Sequence, residues 1–210
     1  MRREHVLWTI AACGLAAFVA LALGYEHDPL ETIDRETSSW VARELPDVVE
    51  WSARPFSWLG GWIGLTALAI TTGFLLVRNR LWVDLAFLLA AFLGGQAVVA
   101  VLKELIGRLR PDVGSAVPLP SSLAFPSGHA AAGAASLGAV AVLVAERLPT
   151  RRARAWLWSC TIVLGVGVGL SRVALNVHYV TDVVAGWCLG LAWLAACLLA
   201  RDHLRARQAG

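Results

Sequence analysis

Residues 171–182, SRVALNVHYVTD, set Ser171, Arg172, His178 and Asp182 close together in a chain that is otherwise mostly apolar. His178 and Asp182 are four residues apart, which on a helix puts them on one face and lets the carboxylate accept a hydrogen bond from the imidazole. A histidine oriented by a carboxylate beside a fixed arginine suits a nucleophile or base next to an anion site. The same residues also suit a loop closed by a structural ion pair, and the stretch alone leaves both readings open.

Two more stretches carry polar chemistry. In Lys103-Glu-Leu-Ile-Gly-Arg-Leu-Arg110-Pro111, the lysine and the last arginine are seven residues apart, two helical turns, and point the same way while a helix lasts. Pro111 restricts Arg110 to extended backbone, so the helix is expected to end just before Arg110; Arg108 is grouped with cations that anchor a helix end in lipid headgroups. Downstream, Pro126-Ser127-Gly128-His129 leads into the small-residue run AAAGAASLGAVAVLVA. Ser127 is placed as the N-cap of that helix. The free N–H groups of Gly128 and His129, with the helix dipole, would cradle an anion, and Gly128 would let it reach the backbone. His129 would stand at the edge of this cradle, able to give or take a proton.

The elements that must position these groups are membrane helices. With 58% hydrophobic and only 16% charged residues, the chain is far more apolar than a soluble domain. Apolar runs at about 6–24, 56–77, 81–102, 129–145, 156–175 and 181–200 each approach bilayer-spanning length. The expected fold is all-α, a single domain over 1–210 with six transmembrane helices in a bundle. Arg2 and Arg3 precede the first run, but it is long for a signal peptide and lacks a clear cleavage site, so a retained helix is expected. Those two arginines, Arg78 with Arg80, the group Arg147, Arg151, Arg152 and Arg154, and the group Arg201, Arg205 and Arg207 fall on alternate span ends. The positive-inside rule makes those ends and both termini cytoplasmic, in a cell membrane, and turns residues 171–182 outward.

Residues 25–54 form an acidic outward segment. Asp28-Pro29-Leu30-Glu31 reads as a helix start, with Asp28 as N-cap and Glu31 completing a capping box. Leu30, Ile33, Trp40, Val41 and Leu45 follow at helical spacing until Pro46, which suits an amphipathic helix along the membrane surface. It reads either as a rim guiding a lipid into the site or as a plain connector. Asp84 is expected to snorkel or cap the third span. Gly165 with Gly169 and Gly186 with Gly190 suit close helix packing, within or between chains, so they assign no oligomeric state. Cys13, Cys160, Cys188 and Cys197 lie inside spans without metal-ligand spacing, and neither a disulfide nor a metal is expected.

Read together as K-x6-R-P, P-S-G-H and S-R-x5-H-x3-D, the three stretches resemble the signature of the type 2 phosphatidic acid phosphatase family. The match holds at every signature position from Lys103 to Asp182, and the six-span layout resembles the membrane-bound branch. The resemblance implies that His178 is a nucleophile forming a phosphohistidine, with Asp182 holding its ring and His129 protonating the leaving oxygen. It implies that Lys103, Arg110, Ser127, Gly128 and Arg172 bind the phosphate. Three cations could stabilise the transferring group without a metal, and no cofactor is expected.

The expected activity is therefore a metal-independent lipid phosphate or diphosphate phosphatase at the outer membrane face. Its partners would be the bilayer and a lipid phosphate substrate, with an undecaprenyl diphosphate or related polyprenyl lipid as first choice and no nucleic acid. Two other classes use the same cluster. A lipid or phosphate transporter would only bind with it, but should place polar groups near the bilayer midplane. A vanadate-dependent haloperoxidase would gain little from six spans.

Overall fold

In the computed structural model, residues 3–209 are described; Arg2 lies outside them. Among these residues the chain is helical, without strands. The first span, α1 (Arg3–Gly24), is followed by α2 (Leu30–Glu44), then α3 (Asp47–Leu59) and α4 (Trp62–Arg78). Next come α5 (Trp82–Leu89), a π-helical turn (Ala90–Gly94) and α6 (Gly95–Ile106), which form one continuous rod. The bundle is completed by α7 (Gly128–Ala145), α8 (Arg151–Ala174) and α9 (Val180–Ala209). Six helical stretches are long and apolar enough to cross a bilayer: Arg3–Gly24, Asp47–Arg78, Trp82–Ile106, Gly128–Ala145, Arg151–Ala174 and Val180–Gln208. The all-α, six-span expectation holds.

The second span departs from the expected 56–77. Helix begins at Asp47 and breaks at Gly60-Gly61. Pro46, expected to stop one helix, also starts the next, because a proline is well tolerated where the first N–H groups have no helical acceptor. Trp58 stands exposed beside the break.

The π-helical turn has a visible partner across the bundle. At the turn the Ala90 carbonyl accepts from Trp193 Nε1 at 3.0 Å. The indole lies against Gly94, where a Cβ would come 2.7 Å from its Cζ2.

α9 is the hub, packed against α1 along its length and against α7 through small residues. A Cβ at Gly186 would lie 2.7 Å from the Ser127 carbonyl, and one at Gly190 2.5 Å from that of Ala131. These glycines let the two backbones touch, as expected for helices held by close packing in lipid. That contact brings the start of α7 and the start of α9 to one level, where Ser127 N donates to Asp182 O at 2.9 Å. By contrast α1, α4 and α8 present Leu15, Ile70, Phe74, Trp156, Ile162 and Val163 outward, as lipid-facing helices should.

The ends of the bundle differ in kind. At one end Arg3 pairs with Asp202 at 3.3 Å, so α1 starts where α9 finishes. Beside them Asp84 does not snorkel or cap. It is 2% exposed and accepts from Arg201 Nε at 2.8 Å and Arg205 Nη2 at 2.6 Å, while Glu146 accepts twice from Arg201. A buried carboxylate needs such partners, and α5, α7 and α9 are thereby pinned together. The alternating placement of the arginines is thus one physical end of the molecule. The residues singled out for chemistry converge at the other.

Candidate active site

Lys103 and Arg110 reach the site by different routes from the one expected. α6 ends at Ile106, not just before Arg110, because Gly107 takes a left-handed conformation (φ 73°) that closes the helix on the Lys103 carbonyl. Lys103 is buried and donates to the carbonyls of Leu123 and, at 3.4 Å, Ala124. Arg110 returns from the loop, donating through Nε to Ser122 O at 2.7 Å and through Nη2 to Leu123 O at 3.5 Å. The two cations so share one carbonyl, and Arg110 also reaches Val177 O and His178 Nε2, at 2.5 and 3.0 Å.

His178 sits in the short α8–α9 connection, 2% exposed. Its Nδ1 faces Asp182 Oδ2 at 3.3 Å, and the same oxygen accepts from Tyr179 N at 2.9 Å. The four-residue spacing therefore does what it does on a helix, with Asp182 in the first turn of α9. Since an arginine has no acceptor, Nε2 must carry the lone pair and Nδ1 the hydrogen that faces Asp182. Burial, then the nearby charges of Arg110, Arg172 and Lys103, hold the imidazole well below its ordinary range, against the opposing pull of the Ala124 carbonyl. Arg110 is itself lowered by burial, with Asp182 opposing. The ring is neutral at pH 7 and its free nitrogen faces a cluster of cations.

Ser127 occupies the N-cap position of α7, but its side chain caps nothing. Its Oγ is buried and has no hydrogen-bond partner among the described residues. Arg172 Nε, at the end of α8, is in the same condition, while its Nη1 donates to Ser57 Oγ on α3. Buried polar atoms without partners are uncommon, and these two, on residues of the signature cluster, are donors suited to an anion. The first helical bond of α7 runs from Ala131 N to Ser127 O at 3.0 Å, leaving the N–H groups of Gly128, His129 and Ala130 without a helical acceptor. A Cβ at Gly128 would meet nothing closer than Val99 Cγ1 at 3.7 Å, so protein packing does not require glycine there. His129 is half-buried beside the α3–α4 break, where a Cβ on Gly61 would lie 3.4 Å from its Nε2.

All eight expected residues, Lys103, Arg110, Ser127, Gly128, His129, Arg172, His178 and Asp182, thus gather at one end of the bundle. Sequence reasoning missed three others. Arg108 is not a headgroup anchor. Its side chain is 9% exposed, and it donates at 2.7 Å to Asp182 Oδ1, Thr181 Oγ1 and Asp34 Oδ2. Its guanidinium lies between Tyr25 and Tyr179, 4.3 Å from each ring centroid. Asp34, on α2, also accepts from Thr181 N at 3.0 Å and so caps α9 from outside. Ser57 is the third, holding Arg172.

α2 itself is oriented opposite to its apolar stripe. Ile33 and Trp40 are exposed, whereas Asp34 and Ser38, four apart, are buried. Ser38 Oγ donates to Asn176 Oδ1 at 2.8 Å, and Asn176 Nδ2 donates to Val113 O and Gly114 O. The apolar side remains free to lie in a membrane surface, and the polar side docks on the site. The helix also starts later than expected: Pro29 is the N-cap, and Asp28 accepts from Thr32 Oγ1 at 2.5 Å rather than capping a backbone N–H. α2 lines a polar cavity of about 700 Å³, which meets the site at Arg108 and Arg110.

Residues 84–205 match the PAP2 superfamily. The chain is 42% identical to phosphatidylglycerophosphatase B of Bacillus subtilis over 92 residues, 43% of this chain and 45% of that protein. It is 32% identical to undecaprenyl-diphosphatase of Sulfolobus acidocaldarius over 142 residues, 64% of this chain and 60% of that one. With decaprenylphosphoryl-5-phosphoribose phosphatase of Mycolicibacterium smegmatis it shares 37% identity over 129 residues, 60% of this chain and 62% of the relative. These stretches span about half to three fifths of the relatives' own length. The crystal structure of a transmembrane PAP2 type phosphatidylglycerolphosphate phosphatase from Bacillus subtilis superposes with a TM-score of 0.83 at 27% identity, over 97% of this chain and 98% of that one. With its helical bundle, its signature residues and a match over more than half its length, this chain belongs to the PAP2 superfamily.

Proposed function

We propose that the protein is a lipid phosphate phosphatase, a single transmembrane domain over residues 1–210 with its motif core at 103–182, acting through a phosphohistidine on His178. The observation that carries this reading is the state of His178: a neutral ring with Nδ1 held by Asp182 and Nε2 pointed at Arg110 among three cations. In the first step Nε2 bonds to phosphorus, the bond from phosphorus to the lipid oxygen breaks, and His129 gives that oxygen a proton. In the second, water attacks phosphorus, the N–P bond breaks, and His129 takes the water proton. Lys103, Arg110 and Arg172, with the Ser127 hydroxyl and the α7 N–H groups, hold the phosphoryl oxygens as their charge redistributes.

The cations and free donors supply what a metal would otherwise supply, and both site carboxylates, Asp34 and Asp182, are engaged by Arg108. The reading is therefore metal-independent. Relatives named for phosphatidylglycerophosphate, undecaprenyl diphosphate and a decaprenylphosphoryl sugar phosphate support a phosphorylated membrane lipid as substrate. Undecaprenyl diphosphate or a similar polyprenyl lipid is the first choice. The arginine-rich end opposite the site supports a multi-pass protein of the cell membrane with cytoplasmic termini and an outward active site. A transport path is not favoured, because the ionisable clusters lie at the two ends and the packed residues between them are apolar.

Purified protein in detergent, incubated with these lipids in excess chelator, is expected to release inorganic phosphate, and His178→Ala to abolish release. Phosphate release that requires an added divalent cation would refute metal independence. Wild-type turnover in His178→Ala would remove the nucleophile.

A further inference from the structure

Resting on the phosphatase reading, we infer that Arg108 and Asp34 form a positioning pair for the nucleophile, through which α2 fixes the carboxylate of Asp182 and hence the ring of His178. The two oxygens of Asp182 have separate tasks. Oδ2 faces His178 Nδ1 at 3.3 Å and takes Tyr179 N, whereas Oδ1 takes Arg108 Nη1 at 2.7 Å. A carboxylate held at only one oxygen can rotate, and Arg108 removes that freedom.

Arg108 is itself over-determined. One nitrogen serves Asp182 and Thr181, the other serves Asp34, and the two tyrosine rings clamp its plane. Lysine, a point charge without a planar fork, could not bridge two carboxylates in this way. Asp34 completes the arrangement by holding Arg108 through Oδ2 and the first turn of α9 through Oδ1, the turn that carries Asp182.

The charge balance also fits the reaction. Asp34 and Asp182 outnumber Arg108 by one negative charge. When Nε2 bonds to phosphorus while Nδ1 keeps its hydrogen, the ring becomes cationic, and this surplus faces it. Both terminal nitrogens of Arg108 are taken by Asp182, Thr181 and Asp34, and two tyrosine rings lie 4.3 Å from its guanidinium, so it acts on the reaction through Asp182 rather than by touching phosphate.

The test compares wild type, Arg108→Lys, Asp34→Asn and the double variant, scoring turnover per folded molecule in detergent. Arg108→Lys is expected to lower kcat about 10²-fold and Asp34→Asn about tenfold, the scale of a small misplacement of a reacting group. Inhibition by inorganic phosphate should stay within about twofold of wild type, because ground-state anion binding is not what the pair supplies. The double variant should lose little beyond Arg108→Lys, since both act through one link. The 15N spectrum of His178 should show one Nδ1–H tautomer in wild type and a mixture in the variants, which a purely structural role would not produce.

Wild-type kcat in both single variants overturns the inference, as does phosphate inhibition that weakens in step with kcat, which would make Arg108 a phosphate ligand. Poor folding with unchanged kcat per folded molecule would assign the pair to stability alone. A wild-type protein that releases no phosphate would instead refute the phosphatase reading, and the tautomer measurement would still decide the positioning role.

Discussion

Arg110 donates from Nη1 to Nε2 of His178 at 3.0 Å, covering the nitrogen that would attack phosphorus. The guanidinium thus marks where an anion's oxygens must go. In the proposed reaction, phosphate would draw Arg110 from nitrogen onto oxygen and so uncover the lone pair.

Burial and the cations oppose a proton on His178, so its titration lies well below the ordinary imidazole value. Removing one opposing cation must move it upward. In Arg110→Ala, 15N spectroscopy is expected to show His178 titrating closer to its ordinary imidazole value than in wild type. An unchanged titration would remove Arg110 from the causes of the depression.

If His129 protonates the leaving oxygen, its removal should matter in proportion to how poor the leaving group is. His129→Ala is expected to lose about 10²–10⁴-fold in kcat on a lipid alcohol phosphate. On p-nitrophenyl phosphate, whose leaving group needs no proton, the loss should be far smaller. Equal losses on both substrates would remove the general-acid role.

Gly128 separates binding from folding. Its Cβ would touch only Val99, at 3.7 Å, and alanine favours a helix by about 1 kcal/mol over glycine in helix interiors. Gly128→Ala should therefore keep or slightly raise the unfolding temperature in detergent while kcat/KM falls. Full activity in this variant would show that the phosphate does not approach the start of α7.

At the other end, Asp84→Ala strips Arg201 of a buried partner; the Arg201 side chain is 0% exposed. Leaving such a charge half-compensated costs about 3–5 kcal/mol. Glu146, held below the usual carboxylate range chiefly by its hydrogen bonds from Arg201, retains part of the pairing. A clear drop in unfolding temperature is expected, with normal kcat in the protein that remains folded. A loss of kcat at unchanged stability would connect the two ends of the bundle in a way the contacts do not.

The sequence alone determined the apolar spans, the separation of their ends by charge, and the eight residues that meet at the site. Those features are local: hydrophobic run length, a proline or glycine at a helix boundary, a four-residue spacing on one helix face. Even the His178–Asp182 contact follows from spacing. The break at Gly60-Gly61 and the early end of α6 at Gly107 were less legible, because a glycine in a membrane helix can serve packing or termination, and only its neighbours decide which.

Tertiary structure decided what Arg108, Asp34 and Ser57 do. Arg108 and Asp34 are 74 residues apart, and Ser57 meets Arg172 across 115, distances over which no periodicity speaks. Asp34 and Ser38 at one-turn spacing were the available signal, a polar pair on a helix expected to lie along the membrane surface. Hydrophobic pattern orients a helix in water, where the apolar side turns inward. Beside a bilayer both sides can be satisfied, the apolar one by lipid and the polar one by buried partners, so only the packed structure shows that α2 turns Asp34 toward Arg108.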